Sequence, residues 1–397
     1  MRISTAQMHA QGLQSLLGRQ SELVRIQEQI TTGRKLVSAA DDPAAYSTSQ
    51  RLDHARASLD HYATNAGHLE RRLGLQENAL SDAGDYLTRA RELVIRANTP
   101  TLSNEDRRII SIEMRQMRSE MLAIANRSDG AGRALFAGSR DGVVPFADNA
   151  GQVTYAGDDG RNRVDVSPDL AVADTDPGSD LFLRVRTGDG IVRGAAGAGN
   201  TGTAVLGSAS VVDHASWNGD GVTVTFGAGN TYQATDAAGT VLATGTWQSG
   251  ETISAGGVQL ALSGAPASGD TFSVGRAATR DVFATLDMLA SAMESPGTTA
   301  TDVARRTNIL TAGLGDLATA QEHLLDARAH TGARLATLAS AEDTRSATSI
   351  TLEQTLSQLR DTDIAEAASR FTQQLTALEA AQQVTLRIQG LSLFAKL

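Results

Sequence analysis

The residue types that ordinarily do chemistry are present in this chain, but their spacing works against them. Among the seven histidines, His54, His61 and His68 lie seven residues apart, as do His323 and His330. On a helix that spacing separates side chains by roughly 10 Å, whereas two ligands of one metal sit about four residues apart. The pattern predicts a solvated helix flank. Gly197-Ala-Gly-Asn-Thr-Gly202 matches G-x-G-x-x-G. No amphipathic helix follows it, and no acidic residue stands where a dinucleotide site needs one, so loop composition is the better reading. Asp158-Asp159 and Asn218-Gly-Asp220 carry oxygen ligands for calcium, yet turns select the same residues for backbone reasons. Asp41-Asp42 precedes Pro43, an arrangement that starts a helix. There is no P-loop, no G-x-S-x-G, no H-E-x-x-H and no cysteine. We expect no catalytic residue, no cofactor and no metal.

The elements that would have to position any such site are long helices. Leu52, Leu59, Ala66, Leu73, Leu80, Leu87 and Val94 recur every seven residues. Three residues further on in each repeat stand Ala55, Tyr62, Leu69, Gln76, Ala83, Ala90 and Ala97. A 4-3 alternation of apolar side chains keeps one stripe of a helix against a partner. Such a helix would run roughly 65 Å, too long for a globule without something packed along it.

Before it, Leu13, Leu16, Leu23 and Ile30 form a weaker stripe with Gln20 and Gln27 at the alternate positions, ending near Thr32-Gly33. Glutamines in a seam predict a helix that is marginal alone. After the ladder, Asn98-Thr99-Pro100 stops the helix and Ser103 caps another. Its Ile110, Met114, Met117, Met121 and Ile124 predict core packed antiparallel on the ladder.

From Gly130 the pattern becomes β. Val153–Tyr155 and Val164–Val166 flank Gly157-Asp-Asp-Gly160 and predict a hairpin near 152–167. Residues 186–275 hold 19 of the 38 glycines and both tryptophans, Trp217 and Trp247. Short alternating runs at 222–226, 258–262 and 272–274, with Asn218-Gly219 as a hairpin-turn dipeptide, predict one small antiparallel β-domain. Helix resumes after Arg276, with leucines from Leu310 to Leu359 keeping a 4-3 register. Asp363 and Glu366 restart a last helix bearing Ile364, Phe371, Leu375, Leu378 and Ile388.

The expected fold class is mainly α with a β insertion. Terminal coiled-coil helices (1–40 with 360–397) enclose a long antiparallel helical rod (41–185 with 276–359), which encloses the β-domain (186–275). A net charge of −10 argues against nucleic acid and anionic membranes as partners. No stretch reaches the roughly 18 apolar residues of a membrane span. Met1 to Gly18 is amphipathic and lacks the apolar core of a secretory signal, so any export is expected without a cleaved signal peptide.

At the two junctions the residues become specific. Thr32-Gly-Arg-Lys-Leu-Val-Ser-Ala-Ala-Asp-Asp-Pro43 resembles the N-terminal junction of the flagellin superfamily. Leu359-Arg-Asp-Thr-Asp-Ile-Ala-Glu366 resembles its C-terminal junction, and Leu87-Thr-Arg-Ala-Arg-Glu-Leu-Val94 its conserved helix. The likeness covers about 160 residues at the front and 120 at the back. Gly132-Arg-Ala-Leu-Phe-Ala-Gly-Ser139 and Leu391-Ser-Leu-Phe-Ala-Lys-Leu397 resemble motifs of the hook-associated branch, with Ala134 in place of an aromatic residue.

The resemblance implies a structural protein of the bacterial flagellum at the hook–filament junction. It implies unfolded export through the flagellar type III apparatus and terminal helices that order on assembly. The implied partners are the hook-side junction protein FlgK, flagellin, copies of the same chain in a ring, and a cytoplasmic export chaperone on the C-terminal helix. Under it, Leu13, Leu16, Leu23, Ile30, Phe371, Leu375, Leu378 and Ile388 are assigned to terminal-pair and intersubunit packing. Leu393, Phe394 and Leu397 would face the chaperone or the assembly. Arg89, Arg91, Glu92 and Leu93 carry over as a subunit contact. The alternatives are a filament flagellin and, more remotely, a secreted coiled-coil adhesin or type III effector with a β head.

Overall fold

The computed structural model describes the backbone of residues 5–394 and the side chains of residue 7 and residues 10–387. Three helices open the chain: α1 (Thr5–Thr32), α2 (Pro43–Ala97) and α3 (Asn104–Ala125). The whole ladder lies in α2, whose 55 residues span about 80 Å. Its start is set by Asp42, whose carboxylate accepts from the amides of Ala44 and Ala45, both at 3.0 Å. Ser103 caps α3 in the same way, accepting from the Asp106 amide at 3.1 Å.

Two small hairpins follow: β1 (Phe146–Asn149) with β2 (Gln152–Tyr155), and β3 (Arg163–Ser167) with β4 (Leu170–Ala173). The single hairpin expected near 152–167 is therefore wrong. The turn that closes on β2 is Ala150-Gly151, both with positive φ, which matches the twist of a tight hairpin. Gly157–Gly160 instead forms a loop pinned to the 136–139 segment. There the Asp158 carboxylate accepts from the Ser139 amide at 2.7 Å, and the Tyr155 hydroxyl donates to the Phe136 carbonyl at 2.9 Å.

The chain then runs through β5 (Val185–Arg186), β6 (Val192–Ala196), β7 (Val205–Val211), β8 (Val222–Phe226), β9 (Thr231–Thr235) and β10 (Val241–Thr246). Next come β11 (Thr252–Ala255), β12 (Val258–Ser263), β13 (Thr271–Arg276) and β14 (Thr279–Arg280). Three helices close it: α4 (Val282–Glu294), α5 (Ala300–Arg360) and α6 (Ile364–Phe394). A five-stranded sheet of order β10-β9-β8-β13-β6 and a three-stranded sheet of order β11-β12-β7 form the insertion, every pair antiparallel. They share one core built on Val224, Phe226, Trp247, Leu260 and Phe272. Asn218-Gly219 turns the chain in the connector between β7 and β8, not within a paired hairpin.

The chain divides into two compact units, Met1–Thr64 with Ser340–Leu397, and Asn65–Ala339. In the second, the ladder from Leu80 to Val94 shares a core with Met114, Met117 and Met121 of α3 and with Leu310, Leu317 and Leu324 of α5. Leu286 and Leu289 of α4 complete it, and α4, not the ladder, is the close neighbour of α3. Arg115 of α3 fastens that crossing, bonding Asp287 at 2.7 Å and Glu294 at 2.9 Å. Gln76 occupies a ladder position, and its amide explains why. Fully buried, it donates to Asp176 and Thr331 at 2.8 Å each and accepts from the Asp176 amide at 2.7 Å. One residue thereby joins α2, the loop after β4, and α5.

Candidate assembly surfaces

In the terminal unit α1 and α6 pack on each other. The face of α1 turned inward carries Leu16, Leu23, Ile26 and Ile30, of which Leu23 and Ile26 are buried. Sequence reading named three of these and missed Ile26. It also set Leu13 on the same stripe, and there the structure differs. Leu13 is 59% exposed and groups with Leu17 and Val24 on a second, outward stripe, at spacings of four and seven residues. Gln20 and Gln27 are exposed and do not interrupt the seam. On α6, Phe371 and Leu378 are half-buried and Ala367 is buried, while Leu375 and Leu386 are exposed. The side chains of Ile388, Leu393 and Phe394, and all of Leu397, lie outside the described residues.

The junction motifs have physical reasons. Gly33 takes φ +68° where α1 ends. The Thr362 amide donates to the Gly33 carbonyl at 3.0 Å and the Lys35 amide to the Arg360 carbonyl at 2.7 Å, so the outgoing and returning chains are bridged. The Arg360 guanidinium grips the Asp53 carboxylate and donates to the Ser49 hydroxyl at 3.2 Å. Asp41 and Asp42 divide the work. Asp42 caps α2, while Asp41 accepts from the amides of Ser38 at 2.8 Å and Val37 at 3.1 Å. Those backbone bonds, Ser38 first, hold the Asp41 carboxyl below its usual range. Asp363 caps α6 through the amides of Ala365 and Glu366.

On α2, Arg89, Arg91 and Glu92 are exposed. Arg89 bonds Glu113 of α3 at 2.8 Å and Glu92 at 3.0 Å, and the Glu113 bond chiefly raises its pKa. Leu93 does not belong with them. It is fully buried in the core with Met114 and Met117, so it presents no surface to a neighbour. The apolar side chains that do emerge beside this cluster are Ile95, Ile109 and Ile112, each more than half exposed. Their signal was an isoleucine off the ladder register, which sequence reading passed over.

The residues with chemical potential are occupied otherwise. His54, His61, His68 and His330 are exposed, and a His323 ring nitrogen lies 2.8 Å from the Asp180 carbonyl. In the glycine loop, the Thr201 and Gly202 amides donate to the carboxylate of Asp270, at 2.8 and 3.0 Å. Among the described residues no group of three or more His, Asp or Glu is placed to hold a metal, and no helix is long and apolar enough to cross a membrane.

The bacterial flagellin N-terminal helical region matches residues 3–141 and the bacterial flagellin C-terminal helical region matches residues 314–395. The chain is similar to the crystal structure of Xanthomonas campestris FlgL, with 43% identity and a TM-score of 0.73, over 77% of this chain and 99% of that one. It is also similar to the flagellar junction protein FlgL from Legionella pneumophila, with 27% identity and a TM-score of 0.72, over 79% of this chain and 100% of that one. The flagellar hook-associated protein 3 of Escherichia coli (strain K12) is 30% identical over 182 residues. That match spans 46% of this chain and 57% of the relative's length. By its helical ends, its inserted β-domain and these likenesses, the chain belongs to the flagellin superfamily and, within it, to the FlgL family of flagellar hook-associated proteins.

Proposed function

We propose that this protein is a structural component of the bacterial flagellum at the junction between hook and filament, where it offers flagellin the surface on which to polymerise. The observation that carries the reading is the unfinished terminal pair. Over α1 and α6, only Leu23, Ile26 and Ala367 are buried apolar side chains among the described residues, while Leu13, Leu17, Val24, Leu375, Val384 and Leu386 face outward. Long helices with so little tertiary packing are marginal in water. Neighbouring copies would cover the outward stripes and offset the ordering entropy.

In this reading the segments 1–40 and 360–397 make the joint. FlgK on the hook side and flagellin on the filament side are the neighbours, with copies of the chain forming a ring. Arg89, Arg91 and Glu92, with Ile95, Ile109 and Ile112, are the rod's contact surface. Before assembly, a chaperone holds the C-terminal helix, and the chain leaves unfolded through the flagellar type III apparatus without losing a signal peptide. The role is mechanical, not enzymatic.

Immunogold labelling of intact flagella tests this. A band confined to the hook–filament boundary is expected. Label along the filament would make the chain a flagellin instead. Deleting the gene should leave flagellin secreted but unpolymerised on bare hooks.

A further inference from the structure

A cleft of about 240 Å³ lies where the loop after β6 meets α4 and the start of α5. Its lining is mostly apolar, with Ala195, Met288, Ala304 and Ile309 among the side chains. Three arginines, Arg193, Arg280 and Arg305, also line it, and among the described residues no carboxylate does. That is unexpected in a chain of net charge −10.

The arginines are under-compensated. Arg193 and Arg280 share one buried carboxylate, Asp316, at 3.0 and 3.2 Å. Asp316 also accepts from the Gly188 amide at 2.7 Å. Two guanidinium charges thus meet one carboxylate. Arg305 lies 3.8 Å from Asp302, donates to the Asn200 carbonyl at 3.5 Å, and remains about half exposed.

The loop wall is held in place without a ligand. Asp270 bonds the Thr201 and Gly202 amides, and the Asn200 side chain donates to the Thr271 carbonyl at 2.9 Å. An apolar cavity with a few convergent charged groups, at the meeting of two substructures and already formed, is how small-molecule sites are built. Its volume lies a little below the roughly 300–1,000 Å³ of drug-sized sites, which sets the size of the guest.

We propose that this cleft binds a small amphipathic anion, an apolar body of one or two rings or a short chain bearing a single carboxylate. The apolar part would rest on Met288 and Ile309, and the carboxylate would meet Arg305 and Arg280 through charge-assisted hydrogen bonds. This goes beyond the junction role and does not depend on it.

The test titrates the full chain with 1-naphthoate and with its uncharged counterpart 1-naphthalenemethanol, read by calorimetry. The expected result is saturable binding of naphthoate at one site per chain, at least tenfold tighter than the alcohol. Arg305→Glu should weaken naphthoate at least tenfold with an unchanged melting curve, because its side chain is half solvated. Should that variant melt differently, Ala198→Trp at the exposed rim blocks the cleft without touching the fold and should give the same loss. Any naphthoate held by the apolar stripes of α1 and α6 would survive both substitutions. No saturable binding, equal binding of the alcohol, or undiminished binding by the variants overturns the proposal.

Discussion

The two halves of α2 carry one seven-residue repeat and meet different fates. Leu52 and Leu59, in the terminal unit, are only half-buried, whereas Ala66, Leu73, Leu80, Leu87 and Val94, in the middle unit, are buried, the last four at 1% exposure or less. The side chains are of one kind, so the difference comes from what surrounds them. Past residue 65 the helix acquires α3, α4, the aromatic cluster of Phe136, Phe146, Phe182 and Phe283, and the polar knot around Arg72 and Gln76. A heptad repeat specifies which face is apolar. It does not say how many neighbours will cover that face.

The largest expected effect breaks the contrast at the knot. Arg72 is buried and bonds Asp174 at 2.9 Å and Asp129 at 3.0 Å. Arg72→Met should cost about 3–5 kcal/mol in denaturant unfolding, because it strips the buried Asp174 carboxylate and the half-buried Asp129 carboxylate of their shared guanidinium. Next comes the ladder itself. Leu80→Ala should cost about 2–5 kcal/mol as a cavity opens in a filled core. Leu59→Ala, the same change three repeats earlier, should cost less than about 1 kcal/mol, since a half-exposed leucine loses little burial. Equal losses at the two sites would mean that the halves of α2 are equally packed.

Those three substitutions also mark what could be read from residue types. The ladder, the caps at Asp42, Ser103 and Asp363, and the nested order of helix, rod and β insertion follow from periodicity and capping chemistry, which are local. Packing is not local. The sequence predicts a hairpin near 152–167 because Gly157-Asp-Asp-Gly160 has turn composition, yet β2 pairs with β1 and β3 with β4. What that segment actually does is bind Ser139, a partner remote in sequence. Leu93 groups with exposed neighbours when the motif is read along the chain, while burial runs around the helix. Leu13 fits the inner stripe by 4-3 spacing, as Gln20 and Gln27 do, yet all three are exposed, and the outer stripe of Leu17 and Val24 shows only with α6 on the other side.

Smaller effects sharpen the comparison at the surface. The Arg115 bond holds the Glu294 carboxyl below the usual glutamate range. A depressed folded-state pKa contributes stability that is present above the unfolded value, about 4.3, and is lost as pH falls through the folded one. The advantage of the native chain over Glu294→Gln should therefore shrink on acidification below about pH 4.3. It should be small throughout, because the pair is more than a third exposed. Smallest of all is Arg89→Ala, which should leave the unfolding transition essentially unchanged, since its ion pairs are exposed. Any larger consequence of that change should be seen only in incorporation into flagella, which separates a contact surface from a stabilising one.

The central claim is that the terminal helices complete their packing only in the assembly, while the middle unit is complete alone. Residue-resolved hydrogen exchange of the soluble full chain tests it most directly. We predict rapid exchange across residues 10–32 and 364–387, intermediate exchange from 43 to 64, and strong protection from 66 to 97 and across 104–125. Protection at the two ends equal to that of residues 66–97 would contradict it.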